Sequence, residues 1–253
     1  MKILFSVKPE WEKKIRKGFL FTRHKLYFEA FTPENIRNAD LVVPLTITDL
    51  RILIQNRHLA SNNAIPLPNL KAVDICDDKW LFIQTLTHKG FGYVIPKVGS
   101  NLPYPYMLKK KTSISGSDCY RITNACDVAT YKDLIARPDF FCQEIINGIY
   151  EYATHIIFKN CEIISSLTIE YEYPTPTSIN GKEKFIAKNI VDCQQLSIFS
   201  AILTSIGFEG QCCFDYKLIE GRPYIFEINP RFGGSVCRYF FSFINRKLIS
   251  IKK

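Results

Sequence analysis

Nowhere in this 253-residue chain does an uninterrupted apolar run reach the ~18–20 residues that a membrane-spanning helix needs. The first residues meet Lys8-Pro9-Glu10 at once, so the N-terminus reads as a strand rather than a secretory signal. No Cys-x-x-Cys occurs. The nine cysteines are odd in number and irregular in spacing, which argues against a disulfide framework or a structural zinc site and for the reduced thiols of a cytoplasmic protein. The adjacent Cys212-Cys213 pair reads as buried packing. Histidines are few (His24, His58, His88, His155) and form no ligand-spaced cluster, so they read as structural or exposed. No nucleophile–base constellation for covalent catalysis, internal repeat or low-complexity segment is visible.

The composition is otherwise ordinary for a globular chain, 47% hydrophobic and 23% charged, with length enough for one large domain or two to three small ones. The net charge of +9 is concentrated at the start, where eight Lys or Arg among the first 25 residues face only Glu10 and Glu12. A basic excess suits nucleic acid, anionic lipid or a polyanionic small molecule. A solvated helix face over residues 10–17 is the plainer explanation.

Residues 2–7 and 40–44 read as buried strands. Residues 9–17, with Pro near the first turn, and 48–59 read as helices, giving an alternating α/β opening. The turn-rich stretch 62–68 separates this small first unit from the remainder. Residues 74–89 predict a single helix closed by Gly90. Strands are expected at 106–110, around 120–122, and at 140–146, 153–158 and 161–172; a helix is expected over 191–206, ending at Gly207.

The most informative stretch is Glu227-Ile-Asn-Pro-Arg-Phe-Gly-Gly-Ser235, after the strand-like Tyr224-Ile-Phe226. Alternate residues of a strand share a face, so Glu227, Asn229 and Arg231 line up together. Two oxygen donors beside a fixed cationic fork suit a magnesium ion bridged to phosphate. That is a nucleotide site built on a strand rather than on a glycine loop. Residues 211–219 and 223–229 predict a hairpin across Glu220-Gly221. A three-residue loop over 220–222 would set Asp215 opposite Glu227, with Cβ atoms roughly 4.5–5.5 Å apart, whereas a two-residue loop would shift that register by one.

Taken in order, several pieces between residues 74 and 238 resemble the ATP-grasp superfamily, especially the carbamoyl-phosphate synthetase large subunit and the carboxylate–amine ligases. Asp77-Asp78-Lys79 is similar to the helix start that supplies a phosphate-contacting lysine, and Pro105-Tyr-Met-Leu-Lys109 to the strand whose lysine reaches the α- and β-phosphates. Residues 113–117, with Ser115 and Gly116, fall where the family has its phosphate-covering loop, though with a single glycine. Gln143-Glu144-Ile145-Ile146 resembles the adenine hinge, and Glu151 the ribose-binding acid, with one extra residue between it and Gly148.

The resemblance implies further roles. Asp215, Glu227 and Asn229 become metal ligands, although relatives often carry Glu or Gln at the first of these. Arg231 faces the transferred phosphate or the substrate, making it and Lys109 the catalytic pair, and Arg238 is a candidate substrate contact. The implied cofactors are ATP and one or two Mg2+ ions, with Mn2+ as an alternative.

The implied architecture is mixed α/β and α+β. A small Rossmann-like unit over 1–72 precedes an ATP-grasp domain over 73–253, whose lobes, about 97–147 and 148–253, clasp ATP. The implied activity is amide formation between a small-molecule carboxylate and an amine through an acyl phosphate, in the cytoplasm, with a homodimer as the default assembly and no membrane or nucleic-acid partner. A phosphotransferase acting on a hydroxyl, or a non-catalytic nucleotide-binding module, would use the same residues. Ser6-Val-Lys-Pro-Glu10, followed by Lys17-Gly18, is also similar to a short stretch of small RNA-binding domains.

Overall fold

The computed structural model describes residues 1–60, 65–113 and 116–245. Its first layer is a parallel sheet of β1 (Lys2–Phe5), β2 (Lys25–Phe28) and β3 (Leu41–Val43), in the order β2-β1-β3. Helices α1 (Pro9–Gly18), α2 (Pro33–Asn38) and α3 (Ile47–Gln55) follow the strands in turn. Local chemistry sets their starts. Pro9 occupies the first turn of α1, and the side chains of Thr32 and Thr46 accept the N–H of Asn35 and Asp49 to cap α2 and α3.

Strands β1 and β3 are buried on both faces, as parallel strands commonly are, whereas the edge strand β2 is half-exposed. Leu4 and Val42 pack with Ile36 and Leu53 on one side. Ile3, Phe5, Leu41 and Val43 pack on the other with Ile15 and, from the far end of the chain, Phe232, Phe240 and Phe243. The Phe5 ring lies 5.6 Å from that of Phe240. The opening unit therefore shares a core with the end of the described chain. Helix α4 (Leu70–Asp77) runs through residue 72, where the first unit is expected to end.

A second antiparallel sheet, β5-β4-β6, is built from β4 (Tyr106–Lys110), β5 (Cys119–Ile122) and β6 (Phe140–Glu144). The short helices α6 (Ala125–Thr130) and α7 (Lys132–Ile135) close its apolar face around Tyr106, Leu108, Ile122 and Phe140. The third sheet has five antiparallel strands in the order β11-β10-β7-β8-β9: β7 (Tyr150–Lys159), β8 (Glu162–Glu172), β9 (Ala187–Val191), β10 (Gly210–Ile219) and β11 (Arg222–Asn229). Helices α4, α5 (Lys79–Leu86) and α8 (Leu196–Ser205) cover one face of it through Phe82, Phe199, Leu203, Phe214 and Ile228. On the other side, α9 (Phe240–Asn245) is tied by the Ser165 hydroxyl, which donates to the Phe243 carbonyl at 2.6 Å.

Two helix expectations are corrected. The single helix over 74–89 is broken at Asp78, which has extended backbone angles (φ −96°, ψ 109°) and turns its carboxylate back to accept the N–H of Trp80 and Leu81. The helix expected from residue 191 begins at Leu196, because Val191 still belongs to β9 and pairs with Thr168. Among the described residues no helix is long and apolar enough to cross a membrane, and all nine cysteines are free thiols.

Candidate functional site

The β10–β11 hairpin carries the acidic face. Its loop is two residues, Glu220 and Gly221, both with positive φ (50° and 77°), a conformation that glycine adopts without strain. Near the loop Tyr216 pairs with Ile225, a register that would misalign the acidic residues. A bulge then intervenes: Asp215 pairs with Glu227, and Phe226 is left as the extra residue. Asp215 and Glu227 are thus opposed as expected, but by a bulge rather than by a three-residue loop. The bulge also turns two successive side chains, Phe226 and Glu227, into one cleft, while Ile225 and Ile228 stay in the core.

Asn229 closes the group. Its Nδ2 donates to Asp215 Oδ2 at 2.9 Å and to Glu227 Oε1 at 3.1 Å. Arg231, one alternation further on, donates to Asn229 Oδ1 (3.3 Å) and to the Phe232 carbonyl (2.8 Å). Across the cleft the Asp78 cap places Lys79 at the first turn of α5, with Nζ 2.9 Å from Glu227 Oε2. Burial alone pushes the Glu227 carboxyl up, but Lys79, with the Asn229 hydrogen bond and the Lys109 charge, outweighs it and holds Glu227 at about 2. Asp215 moves the other way: burial, then the charges of Glu227 and Glu151, raise it well above the ordinary aspartate range.

The β4–β6 sheet forms the facing wall of a cleft of about 330 Å3. Lys109 donates to Gln143 Oε1 at 2.8 Å and lies 5.1 Å from the Phe226 ring. Gln143 is 1% exposed, and its Nε2 has no partner in the structure. Ile145 and Ile146 line the cleft beside it. Glu144 lines it too, but its carboxylate is occupied by the Lys97 N–H (2.7 Å) and its own N–H by the Lys97 carbonyl (2.9 Å). Glu151 is buried at the start of β7. Burial raises its carboxyl against the pull of a hydrogen bond from Asn180 and the Lys217 charge.

Gly116 borders the cleft at φ +66°, and a Cβ there would fall 2.5 Å from the Asn180 carbonyl oxygen. Ser115, the other residue expected of the covering loop, lies outside the described residues. The structure does not bring Arg238 to the cleft. It is exposed on the turn before α9, where its carbonyl packs against Gly18. All the other site residues expected from the sequence line this one cavity.

Some participants were passed over in the sequence, although Lys217 stands two residues from Asp215 on one strand and so shares its face. Lys217, 3% exposed, reaches the cleft from β10 and donates to the Pro176 carbonyl at 2.8 Å. The segment between β8 and β9 forms a roof tied to the second sheet: Arg121 donates to Thr177 O (2.8 Å) and Glu183 Oε1 (2.9 Å), and Lys182 to Cys119 O (2.6 Å). His155, read as structural or exposed, is fully buried with Nε2 2.6 Å from Ser235 Oγ.

No family model matches the chain, and no curated protein matches it by sequence. Solved structures do. A D-alanine–D-alanine ligase from Bacillus anthracis complexed with ATP aligns over 100% of this chain and 98% of its own, with TM-score 0.60 and 11% identity. The VanG D-Ala:D-Ser ligase from Enterococcus faecalis aligns over 100% and 99%, with TM-score 0.64 and 14% identity. An N5-carboxyaminoimidazole synthetase from Staphylococcus aureus complexed with ADP aligns over 92% and 71%, with TM-score 0.62 and 14% identity.

The chain has the ATP-grasp fold.

The cleft lies between the β5-β4-β6 sheet and the five-stranded sheet. The oxygen set fits a hard divalent cation in kind, two carboxylates and an amide oxygen, provided Asn229 turns its Oδ1 from Arg231 toward the carboxylates; among the described residues the soft group beside them is Cys213 Sγ, 3.5 Å from Asp215 Oδ1. Among the described residues no cluster of three or more His, Cys, Asp or Glu forms a self-sufficient metal cage. Magnesium suits such a sparse set, because it keeps several waters and draws other ligands from phosphate.

Proposed function

We propose that this ATP-grasp chain is an ATP-dependent ligase joining a small-molecule carboxylate to an amine. The observation that carries the reading is the arrangement of Asp215, Glu227 and Asn229 on one wall of a two-lobed cleft, with Lys79 and Lys109 reaching in from the others. The relatives solved with ATP and with ADP support a nucleotide in this cleft.

Adenine would lie against residues 144–146, whose backbone groups offer the hydrogen bonds, since the Glu144 side chain is already tied to Lys97. The unpartnered Nε2 of Gln143 is a ready donor beside it. Glu151 would take the ribose hydroxyls, and Lys109 and Lys79 would act as point charges for the phosphates. Asp215, Glu227 and Asn229 would hold magnesium, which would neutralise phosphate charge when bound.

In the first step a carboxylate oxygen of the acid attacks the γ-phosphorus, the bond to the β-phosphate oxygen breaks, and ADP leaves. In the second, the amine nitrogen attacks the acyl carbon of the acyl phosphate, phosphate departs with the C–O bonding pair, and the nitrogen gives up a proton. Arg231 stands beside the oxygen triad, where it would steady the transferring phosphoryl group. The chain contributes positioning and charge, not a covalent nucleophile.

The test is acid- and amine-dependent release of ADP and phosphate, assayed with and without Glu227→Gln. Loss of turnover with the fold retained supports the ligase. A stable phosphorylated product in place of free phosphate would make the chain a phosphotransferase, and full activity in Glu227→Gln would remove the assignment.

A further inference from the structure

A second cavity, about 630 Å3, adjoins the cleft on the side of the first sheet and shares Lys79, Glu227, Asn229 and Arg231 with it. It opens beyond the carboxyl ends of β1 and β3. In the order β2-β1-β3 the chain leaves β1 toward one neighbour and later returns on its other side, so the crevice at this end is the topological switch point of the sheet. The crevice is pinned open by Ser6, fully buried, whose Oγ accepts the Leu45 N–H at 2.9 Å. Lys8 follows on one lip and Thr46 to Thr48 stand on the other.

The charges here are unevenly paired. Arg51 is tied to Asp74 (2.7 Å) and Asp77 (3.8 Å), and Lys79 to Glu227 (2.9 Å). Among the described residues Arg231 donates only to an amide oxygen and a carbonyl. Among the described residues the one carboxylate within 4 Å of Lys8 is that of Glu10, 3.9 Å away and 65% exposed, with Asp49 acting on it from farther off. Both cations sit against one indole: Lys8 Nζ is 3.7 Å from the Trp11 ring centroid and Arg231 Cζ is 5.7 Å from it. Burial, and then repulsion from Arg231, lower the Lys8 ammonium pKa. The remaining acid of the cavity, Asp118, stands on the second-sheet side, where it accepts from Ser117 Oγ. Hydroxyls of Thr48, Thr112, Ser113 and Ser117 add polar groups to a lining that also holds Ile47, Cys76 and Pro230.

We infer that the acid substrate carries a second anionic group, a carboxylate or a phosphate, received by Lys8 at the switch point while its reacting carboxylate lies beside Arg231. Two half-buried cations on one ring repel until an anion bridges them, so an acid charged at both ends relieves a cost that a singly charged acid leaves in place. A substrate with an ammonium at the far end would meet Lys8 as a like charge. An apolar tail would reach Ile47, Cys76 and Pro230 in the lining but would leave Lys8 without a counter-charge. This inference rests on the ligase reading of the neighbouring cleft.

The experiment loads the protein with Mg2+ and a non-hydrolysable ATP analogue, checks loading by thermal shift, and then titrates acids calorimetrically. The probes are succinate, glutarate and 3-phosphoglycerate against propionate, butyrate and L-alanine, on wild type, Lys8→Ala and Lys8→Arg. The expected result is that at least one doubly charged acid binds tenfold or more tighter than every singly charged one. Lys8→Ala should erase that margin and Lys8→Arg keep it, with nucleotide loading the same in all three. Loading without such a margin, whether because all acids bind alike or because none binds, overturns the inference and leaves the ligase reading standing. A margin that survives in Lys8→Ala also overturns it. Failure to load removes the ligase reading and the inference together.

Discussion

Lys79 Nζ lies 2.9 Å from Glu227 Oε2, so the first residue of α5 is joined across the cleft to the strand that carries the metal-type ligands. Both side chains are mostly buried, with 13% and 26% exposed. Removing one partner leaves the other as a poorly solvated charge, whereas removing both does not. Lys79→Met should therefore cost about 1–2 kcal/mol of stability, between the surface and buried limits for ion pairs, and the Lys79→Met/Glu227→Gln double variant should recover part of that loss. Urea unfolding of the four proteins in the cycle measures this. Strictly additive losses would show that the pair is not coupled.

Asp78 should matter twice. Its carboxylate caps α5 by accepting two backbone N–H groups, at 2.8 and 2.9 Å, and thereby aims Lys79. Asp78→Ala should lower stability by about 1 kcal/mol, the usual worth of a cap, and weaken nucleotide binding as well. Asp78→Ser or Asp78→Asn, which can still cap, should restore most of both. Calorimetric titration with a nucleotide analogue separates the two effects.

Gly116 combines a left-handed backbone with close contact to the Asn180 carbonyl. In Gly116→Ala the added methyl would strain φ and push the roof segment away from the second sheet. Nucleotide affinity should fall while the three sheets persist, seen as weaker nucleotide binding with an unchanged far-ultraviolet spectrum.

His155 sets an acid limb. Burial, followed by the charges of Lys188 and Arg231, lowers its pKa from the ordinary 6.5 to about 3. Because the folded-state value is the lower one, the unfolded chain takes up a proton below pH 6.5 that the folded chain refuses until about pH 3. Its contribution is complete above pH 6.5 and falls away through that window, by at most ~1.4 kcal/mol per pH unit. Urea midpoints of wild type and His155→Gln between pH 7 and 4 should converge as pH falls. A constant gap would show that His155 does not set the limb.

Much of this was legible in residues close together in sequence. The alternation of Glu227, Asn229 and Arg231 is a property of one strand, and strand geometry alone groups them. The Asp215–Glu227 opposition was legible in outcome but not in cause, because the bulge at Phe226 depends on which side chains the core and the cleft each accept. The break at Asp78 was hidden in the periodicity, where a capping aspartate inside a helical apolar pattern resembles a solvated one, although the resemblance of Asp77-Asp78-Lys79 to a helix start pointed to it. The roof of residues 175–183 was hidden for a different reason: its partners Arg121 and Cys119 are about 60 residues away, whereas Lys217 was within reach of the alternation that groups it with Asp215. Arg238 shows the converse, since nearness to the motif in sequence did not bring its side chain to the cleft.

The most direct test of the central claim is a thermal-shift titration of wild type and of Glu227→Gln/Asn229→Ala with a non-hydrolysable ATP analogue, with and without Mg2+. Ligand at ~100 times its dissociation constant adds about 2.7 kcal/mol to stability. The account predicts a shift of that order in the wild type that requires Mg2+ and disappears in the double variant. A shift that ignores Mg2+, one that survives in the double variant, or none in the wild type would contradict it.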